Sequence, residues 1–134
     1  TIRKSIAKAE VQTQAGGRAV LPVALDYGGR WDVTDVVRSI AHDVADGQIA
    51  PEDINEDLIS KRLSTSGIPD PDLCIRTAGE ARISNFLLWQ LAYAEVWFTE
   101  VLWPDFDEAV LDLALAAYAV RERRFGVRPL LHRY

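Results

Sequence analysis

Apolar residues recur at helical spacing through Val33, Val36, Val37, Ile40, Ala41 and Val44, and the pattern closes at Gly47. Spacing of three and four predicts a helix with one face turned to a core. An amphipathic stretch over 2–14 sets Ile2, Ile6 and Val11 on one side and stops at Gly16-Gly17. A shorter helix is predicted over about 55–63 with Asn55 as its N-cap, and a last one over about 107–124, ending at Gly126. "RAVLPVALDY" (18–27) predicts a strand, and Pro22, which cannot donate to a ladder, argues for an edge or a bulge. "LCIRT" (73–77) is a short apolar run of the kind buried in parallel sheets, "GIPDPD" (67–72) before it is a loop, and "VWFTEV" offers a third strand.

The segment from 85 to 98 is apolar nearly all round: Phe86, Leu87, Leu88, Trp89, Leu91, Tyr93, Val96, Trp97, Phe98. It predicts a long helix starting near Ser84, buried on every side and partly against another chain, which implies a dimer. Strands alternating with helices predict an α/β fold, a mainly parallel sheet with surrounding helices. Two or three strands make a thin sheet for so much apolar surface, so the sheet is expected to be incomplete.

A chain of 134 residues, 49% apolar and 26% charged, is at most one globular domain. The net charge is −5 and the longest basic cluster is "RERR" at 121–124, so the broad basic face of a nucleic-acid binder is missing. Cys74 is the only cysteine, which rules out an internal disulfide and suits the cytoplasm. The longest apolar run, "FLLWQLAYAEVWF", holds 13 residues with Gln90 and Glu95 among them, too short and too polar to span a bilayer. The chain opens at Thr1 and contains no Met, so it is expected to be a piece of a longer protein.

Candidate chemistry collects around one strand end. Arg76 falls at the carboxyl end of a predicted strand, where open α/β sheets bind ligands. Arg82 and Ser84 fall where the next helix is predicted to begin, and a helix N-terminus attracts anions. Two arginines suit a phosphate or diphosphate, and equally suit surface acids such as Glu80, with Ser84 a simple cap. Gly28-Gly29 either let backbone approach a phosphate or make a tight turn. Glu95, among aromatics, is paired, a metal ligand or exposed at a seam, with pairing the default. Asp32 and Asp105 read as helix caps, and His42 and His132 lack metal-ligand spacing.

The stretch "DLCIRTAGEARISNFLLWQLAYAEVWFTEVLWPDF" (72–106) resembles the signature block of the cis-prenyltransferases, the undecaprenyl diphosphate synthase group. "DYGGRWD" is similar to that family's Asn-Tyr-Gly-Gly-Arg block, and "RRFG" to its terminal Arg-x-Gly motif. The resemblance covers nearly the whole chain. It implies condensation of isopentenyl diphosphate with an allylic diphosphate such as farnesyl diphosphate, a Mg²⁺ cofactor, and a cytoplasmic homodimer that delivers its product to the membrane.

By the same resemblance Arg76, Arg82, Ile83 and Ser84 would hold isopentenyl diphosphate, and Arg124 and Gly126 would reach it from the partner subunit. Glu95 would be associated with Mg²⁺. Eleven residues of helix would set Ser84 and Glu95 about 16 Å apart, so Glu95 is expected to serve a site across the dimer or after a bend. The family's Asp-Gly-Asn-Gly-Arg-Trp loop, which binds the allylic diphosphate and supplies the Mg²⁺-binding aspartate, has no counterpart in these 134 residues. Asp26 stands where the family has Asn, and Ala78 where it has Gly or Ser. Residues 1–134 are therefore expected to be the C-terminal portion of a larger single-domain enzyme, inactive alone. A non-catalytic partner subunit of the Nogo-B receptor type and a generic diphosphate-binding α/β module are the alternatives.

Overall fold

The computed structural model describes residues 2–17 and 19–121. At its centre two short strands, β1 (Leu73–Arg76) and β2 (Glu95–Phe98), pair in parallel, with Leu73 opposite Glu95 and Arg76 opposite Phe98. Among the described residues four α-helices accompany them: α1 (Ile2–Thr13), α2 (Gly29–Ala45), α3 (Glu56–Ser60) and α4 (Glu108–Ala119). The α/β class, the parallel sheet and most helices follow the sequence expectation. Asn55 caps α3 as predicted, its side chain accepting from the Leu58 N–H at 2.9 Å.

The core lies where the helical periodicity put it. Val36 and Ile40, one turn apart on α2, are buried with Leu63, and Val33, Val44, Leu58, Ile59 and Trp89 pack against them. The Trp89 indole N–H donates to Ser60 Oγ at 2.9 Å, so this large ring packs half-buried against the core without leaving its polar atom unpaired. Arg62 ties the loop after α3 back to α2 through Asp43 at 2.5 Å and Ser39 at 3.0 Å. On the other side α4 packs against β2, with Ala114 fully buried. Helix α1 buries nothing, and its Ile2 and Val11 are exposed.

Asp32 is not a cap. It lies inside the first turn of α2, and its carboxylate is carried across to the segment after α3. Oδ1 accepts from the Ser64 N–H at 3.0 Å and the Ser64 hydroxyl at 2.8 Å, and Oδ2 accepts from the Tyr27 hydroxyl at 2.9 Å. Asp105 likewise ends a single 3₁₀ turn (Trp103–Asp105), and Asp107 caps α4 by accepting from the Val110 N–H at 3.0 Å.

Two expected elements are absent. Residues 19–27 run without regular secondary structure: a strand needs a ladder partner, and among the described residues β1 and β2 pair only with each other. The helix expected from Ser84 to Phe98 is a succession of turns ending in β2. Ser84, Asn85 and Leu87 take φ of +52°, +61° and +46°, which no right-handed helix accepts. The bonds that follow are mostly of the tighter three-residue kind, Ala92 N–H to the Trp89 carbonyl and Ala94 N–H to the Leu91 carbonyl. Packing overrides the apolar pattern here. Leu91 and Gln90 turn inward, while Phe86, Leu88, Tyr93 and Phe98 keep an exposed side, so the segment is not buried all round.

Burial alone would raise the Asp32 carboxyl, but the Ser64 and Tyr27 donors outweigh it and hold its pKa below the ordinary 3.8. A depressed folded-state pKa adds stability that is complete above the unfolded value and is lost as pH falls through the folded one. Thermal unfolding should therefore show a fall in Tm below about pH 4 that Asp32→Asn largely removes. Asp32→Ala, which strands three donors, should cost about 3 kcal/mol in urea unfolding at pH 7.

Candidate functional site

Where β1 ends, its backbone is laced to the segment after β2. The Arg76 carbonyl accepts from the Thr99 N–H at 2.9 Å, and the Gly79 and Ala78 N–H groups donate to the Thr99 and Val101 carbonyls at 2.9 Å each. To make these bonds Ala78 and Gly79 both turn left-handed, with φ of +64° and +67°. Glycine does so freely, whereas an alanine in this region carries a penalty of about 1 kcal/mol. The chain then folds back so that Ser84 returns beside the strand end, and Arg76 Nη2 donates to Ser84 Oγ at 3.4 Å.

The result is a cleft of about 290 Å³ at the carboxyl end of β1, lined by Cys74, Ile75, Arg76, Thr77, Ala78, Glu80, Arg82, Ile83, Phe86 and Val96. The structure thus brings together Arg76, Arg82 and Ile83, with Ser84 hydrogen-bonded to the first of them. Among the described residues the pairing with a surface acid is made by Arg82 and not by Arg76. Arg82 pairs with Glu80 at 2.5 Å, but its side chain is 70% exposed, and a pair so open to solvent is worth at most about 1 kcal/mol. Arg76 enters no ion pair among the described residues. An anion entering the cleft therefore meets one unneutralised guanidinium and one held only by a surface acid. Burial raises the Cys74 thiol above its ordinary 9.0, with Arg76 opposing, so at neutral pH it stays protonated and is no nucleophile.

Glu95 is not in this cleft. It opens β2 opposite Leu73, at the far end of the sheet from Arg76, a separation of about 10 Å along the strand. Its Oε2 takes an ion pair from Arg121 Nη1 at 2.6 Å, the default foreseen for a half-buried carboxylate. The spacing of 16 Å expected from a helix does not apply, because the intervening residues are not helical. Arg124 and Gly126 lie outside the described residues.

Gly28 and Gly29 are needed for close packing. A Cβ on Gly29 would sit 2.9 Å from the Leu88 backbone nitrogen, and one on Gly28 2.9 Å from Asn85 Nδ2. Asn85 also occupies the N-terminus of α2: its carbonyl accepts from the Gly29 N–H at 2.7 Å and its Oδ1 from the Arg30 N–H at 2.9 Å. Those donors are spent on the protein and not on a phosphate. Sequence reasoning missed Asn85; its signal is the residue type, one that tolerates left-handed backbone and caps helices, set inside an apolar run. Phe86 was missed as a cleft wall, and its ring meets Tyr27 edge-on with centroids 5.9 Å apart.

Residues 1–126 match the prenyltransferase family model of undecaprenyl diphosphate synthase. The chain belongs to this family. It is 55% identical over 125 residues to an isoprenyl transferase of Porphyromonas gingivalis, covering 93% of this chain and 49% of the relative. It is 56% identical over 126 residues to a (2E,6E)-farnesyl-diphosphate-specific ditrans,polycis-undecaprenyl-diphosphate synthase of Xanthomonas axonopodis pv. citri, covering 94% and 49%. Among solved structures, lavandulyl diphosphate synthase from Lavandula x intermedia, crystallised with dimethylallyl diphosphate, superposes with a TM-score of 0.86 at 45% identity, over 92% of this chain and 53% of that one. The chain spans about half the length of the curated relatives it matches.

The family implies a divalent cation, and the described residues do not form a site for one. No three of their His, Cys, Asp and Glu side chains converge, and Glu95 is engaged by Arg121.

Replacing Ala78 by Gly, the residue type that its backbone prefers, should raise stability by about 0.5–1 kcal/mol. Urea unfolding checks this, and an unchanged midpoint would mean that the left-handed turn carries no strain.

Proposed function

We propose that residues 1–134 are the C-terminal portion of a single-domain cis-prenyltransferase, which extends an allylic diphosphate such as farnesyl diphosphate with isopentenyl diphosphate. The observation that carries this reading is the cleft at the carboxyl end of β1, where Arg76, Arg82 and Ile83 line one cavity and Ser84 bonds to Arg76. In this reading the cleft holds isopentenyl diphosphate. Arg76 and Arg82 grip its diphosphate with charge-assisted hydrogen bonds, Ser84 orients Arg76, and Ile83 and Phe86 offer apolar surface to the five-carbon unit. That diphosphate is not the leaving group. The work of these residues is to hold the alkene still and aimed, so that a bimolecular encounter becomes a positioned one.

The chemistry also needs the allylic diphosphate and its cation. The aspartate-bearing loop that would hold them has no counterpart in this sequence, so this chain alone is inactive. Glu95, given over to Arg121, offers at most one ligand to a Mg²⁺ whose other ligands lie outside the described residues. Arg124 and Gly126 belong to the same proposal, reaching the diphosphate from a second copy in a homodimer. In the same reading the enzyme is cytoplasmic and passes its product to a membrane; no described helix is long and apolar enough to cross one.

Calorimetric titration with isopentenyl diphosphate should give saturable binding that Arg76→Ala weakens by about 10–100-fold, the loss of a charge-assisted contact. Inorganic diphosphate should compete less well than isopentenyl diphosphate; equal competition would support a generic diphosphate module instead. With farnesyl diphosphate, labelled isopentenyl diphosphate and Mg²⁺, the chain alone should yield no butanol-extractable label.

A further inference from the structure

Helices α3 and α4 carry their own N-caps: Asn55 accepts from the Leu58 N–H and Asp107 from the Val110 N–H, three residues on in each case. Helix α2, at 17 residues the longest among the described residues, does not. Its N-cap is Gly28, which has no side chain to offer. The first N–H groups of α2 go instead to Asn85, 55 residues beyond Arg30. The Asn85 carbonyl accepts from Gly29 at 2.7 Å and its Oδ1 from Arg30 at 2.9 Å. Gly28 leaves the room for this, since a Cβ there would lie 2.9 Å from Asn85 Nδ2. A helix of this length could be capped locally, so the imported cap raises the question of what it does for the segment that supplies it.

That segment carries Arg82, Ile83 and Ser84. Ser84, Asn85 and Leu87 all hold left-handed backbone, which side-chain-bearing residues keep only where their surroundings impose it. Asparagine tolerates this conformation better than most, and its two acceptors on α2 pin the turn from outside. The bond from Arg76 Nη2 to Ser84 Oγ, at 3.4 Å, is too long to do so alone. We propose that Asn85 is a positioning residue of the cleft: by capping α2 it sets the turn that holds Ser84 beside Arg76 and keeps Arg82 and Ile83 in the cleft lining. Asn85 is not among the cleft's lining residues, so it acts through the backbone of Ser84 and touches no substrate. A loop fixed in its binding conformation loses less freedom when an anion arrives, which strengthens the grip. The effect on affinity rests on the isopentenyl diphosphate reading, whereas the effect on Ser84 and Arg76 does not.

Three variants separate positioning from stability. Asn85→Gly keeps a residue that accepts left-handed backbone and removes Oδ1, and Asn85→Asp keeps an oxygen acceptor facing the positive end of α2. Asn55→Ala removes a cap of the same kind from α3, which lines no part of the cleft. Asn85→Gly and Asn55→Ala should each lower the melting temperature. Only Asn85→Gly should weaken isopentenyl diphosphate binding, by about tenfold in calorimetric titration, and Asn85→Asp should hold it within about threefold of the unsubstituted chain. In nitrogen-15 NMR of the chain without added ligand, the Arg76 side-chain N–H signal should shift in Asn85→Gly and stay in place in the other two. Equal loss of affinity in Asn55→Ala would reduce Asn85 to a helix cap and overturn the proposal, as would an Arg76 signal unmoved in Asn85→Gly. Absence of saturable binding to the unsubstituted chain would overturn the isopentenyl diphosphate reading, and the Arg76 signal would still decide the role of Asn85.

Discussion

The register of two short parallel strands governs everything around the cleft. Pairing Arg76 with Phe98 sets Thr99 and Val101 where they can bond the turn after β1, and that turn delivers Arg82 and Ser84 back to the strand end. A slip of one residue would turn every side chain on β1 to the opposite face and take Arg76 out of the cleft. Few residues hold this register. The backbone ladder, the left-handed turn at Ala78 and Gly79 and the packing of α4 on β2 supply it, with Glu95–Arg121 fastening the other end.

A second fixed point lies beneath the first. Asp32 joins Tyr27, α2 and Ser64 into one unit, and Asn85 joins that unit to the loop carrying Arg82 and Ser84 through the first N–H groups of α2. Gly29 makes the approach possible, because any side chain there would meet Leu88. The motif "DYGGRWD" thus positions the chemistry at "CIRTAGEARIS" without itself lining the cleft: the acid and the glycines are packing devices, and the arginines are the exposed charge.

Helix α2, the short α3 with its Asn55 cap, α4 and the strand at Leu73 were legible in the sequence because local periodicity and capping chemistry fix them. Residues 84–98 were not. Their apolar pattern fits a buried helix and a buried strand alike, and three left-handed residues, invisible to periodicity, settle it. Residues 19–27 failed for the opposite reason: the strand pattern is present and the partner is not. In the candidate site, Arg76 was legible from its place at a strand end, Arg82 and Ser84 were assigned to the start of a helix that does not form, and Ile83 came from family resemblance alone. Asn85 and Phe86 were not, because their roles come from contacts with α2 and Tyr27 more than fifty residues earlier in the chain.

The central claim is that the cleft at the end of β1 is a diphosphate site. Its most direct test is a nitrogen-15 NMR titration with isopentenyl diphosphate that follows both backbone amides and arginine side-chain N–H signals. The account predicts saturable shifts confined to Arg76 through Glu80 and Arg82 through Phe86, with Glu95 and Arg121 unmoved. Shifts centred on Glu95 and Arg121, or scattered over the surface arginines without saturation, would contradict it.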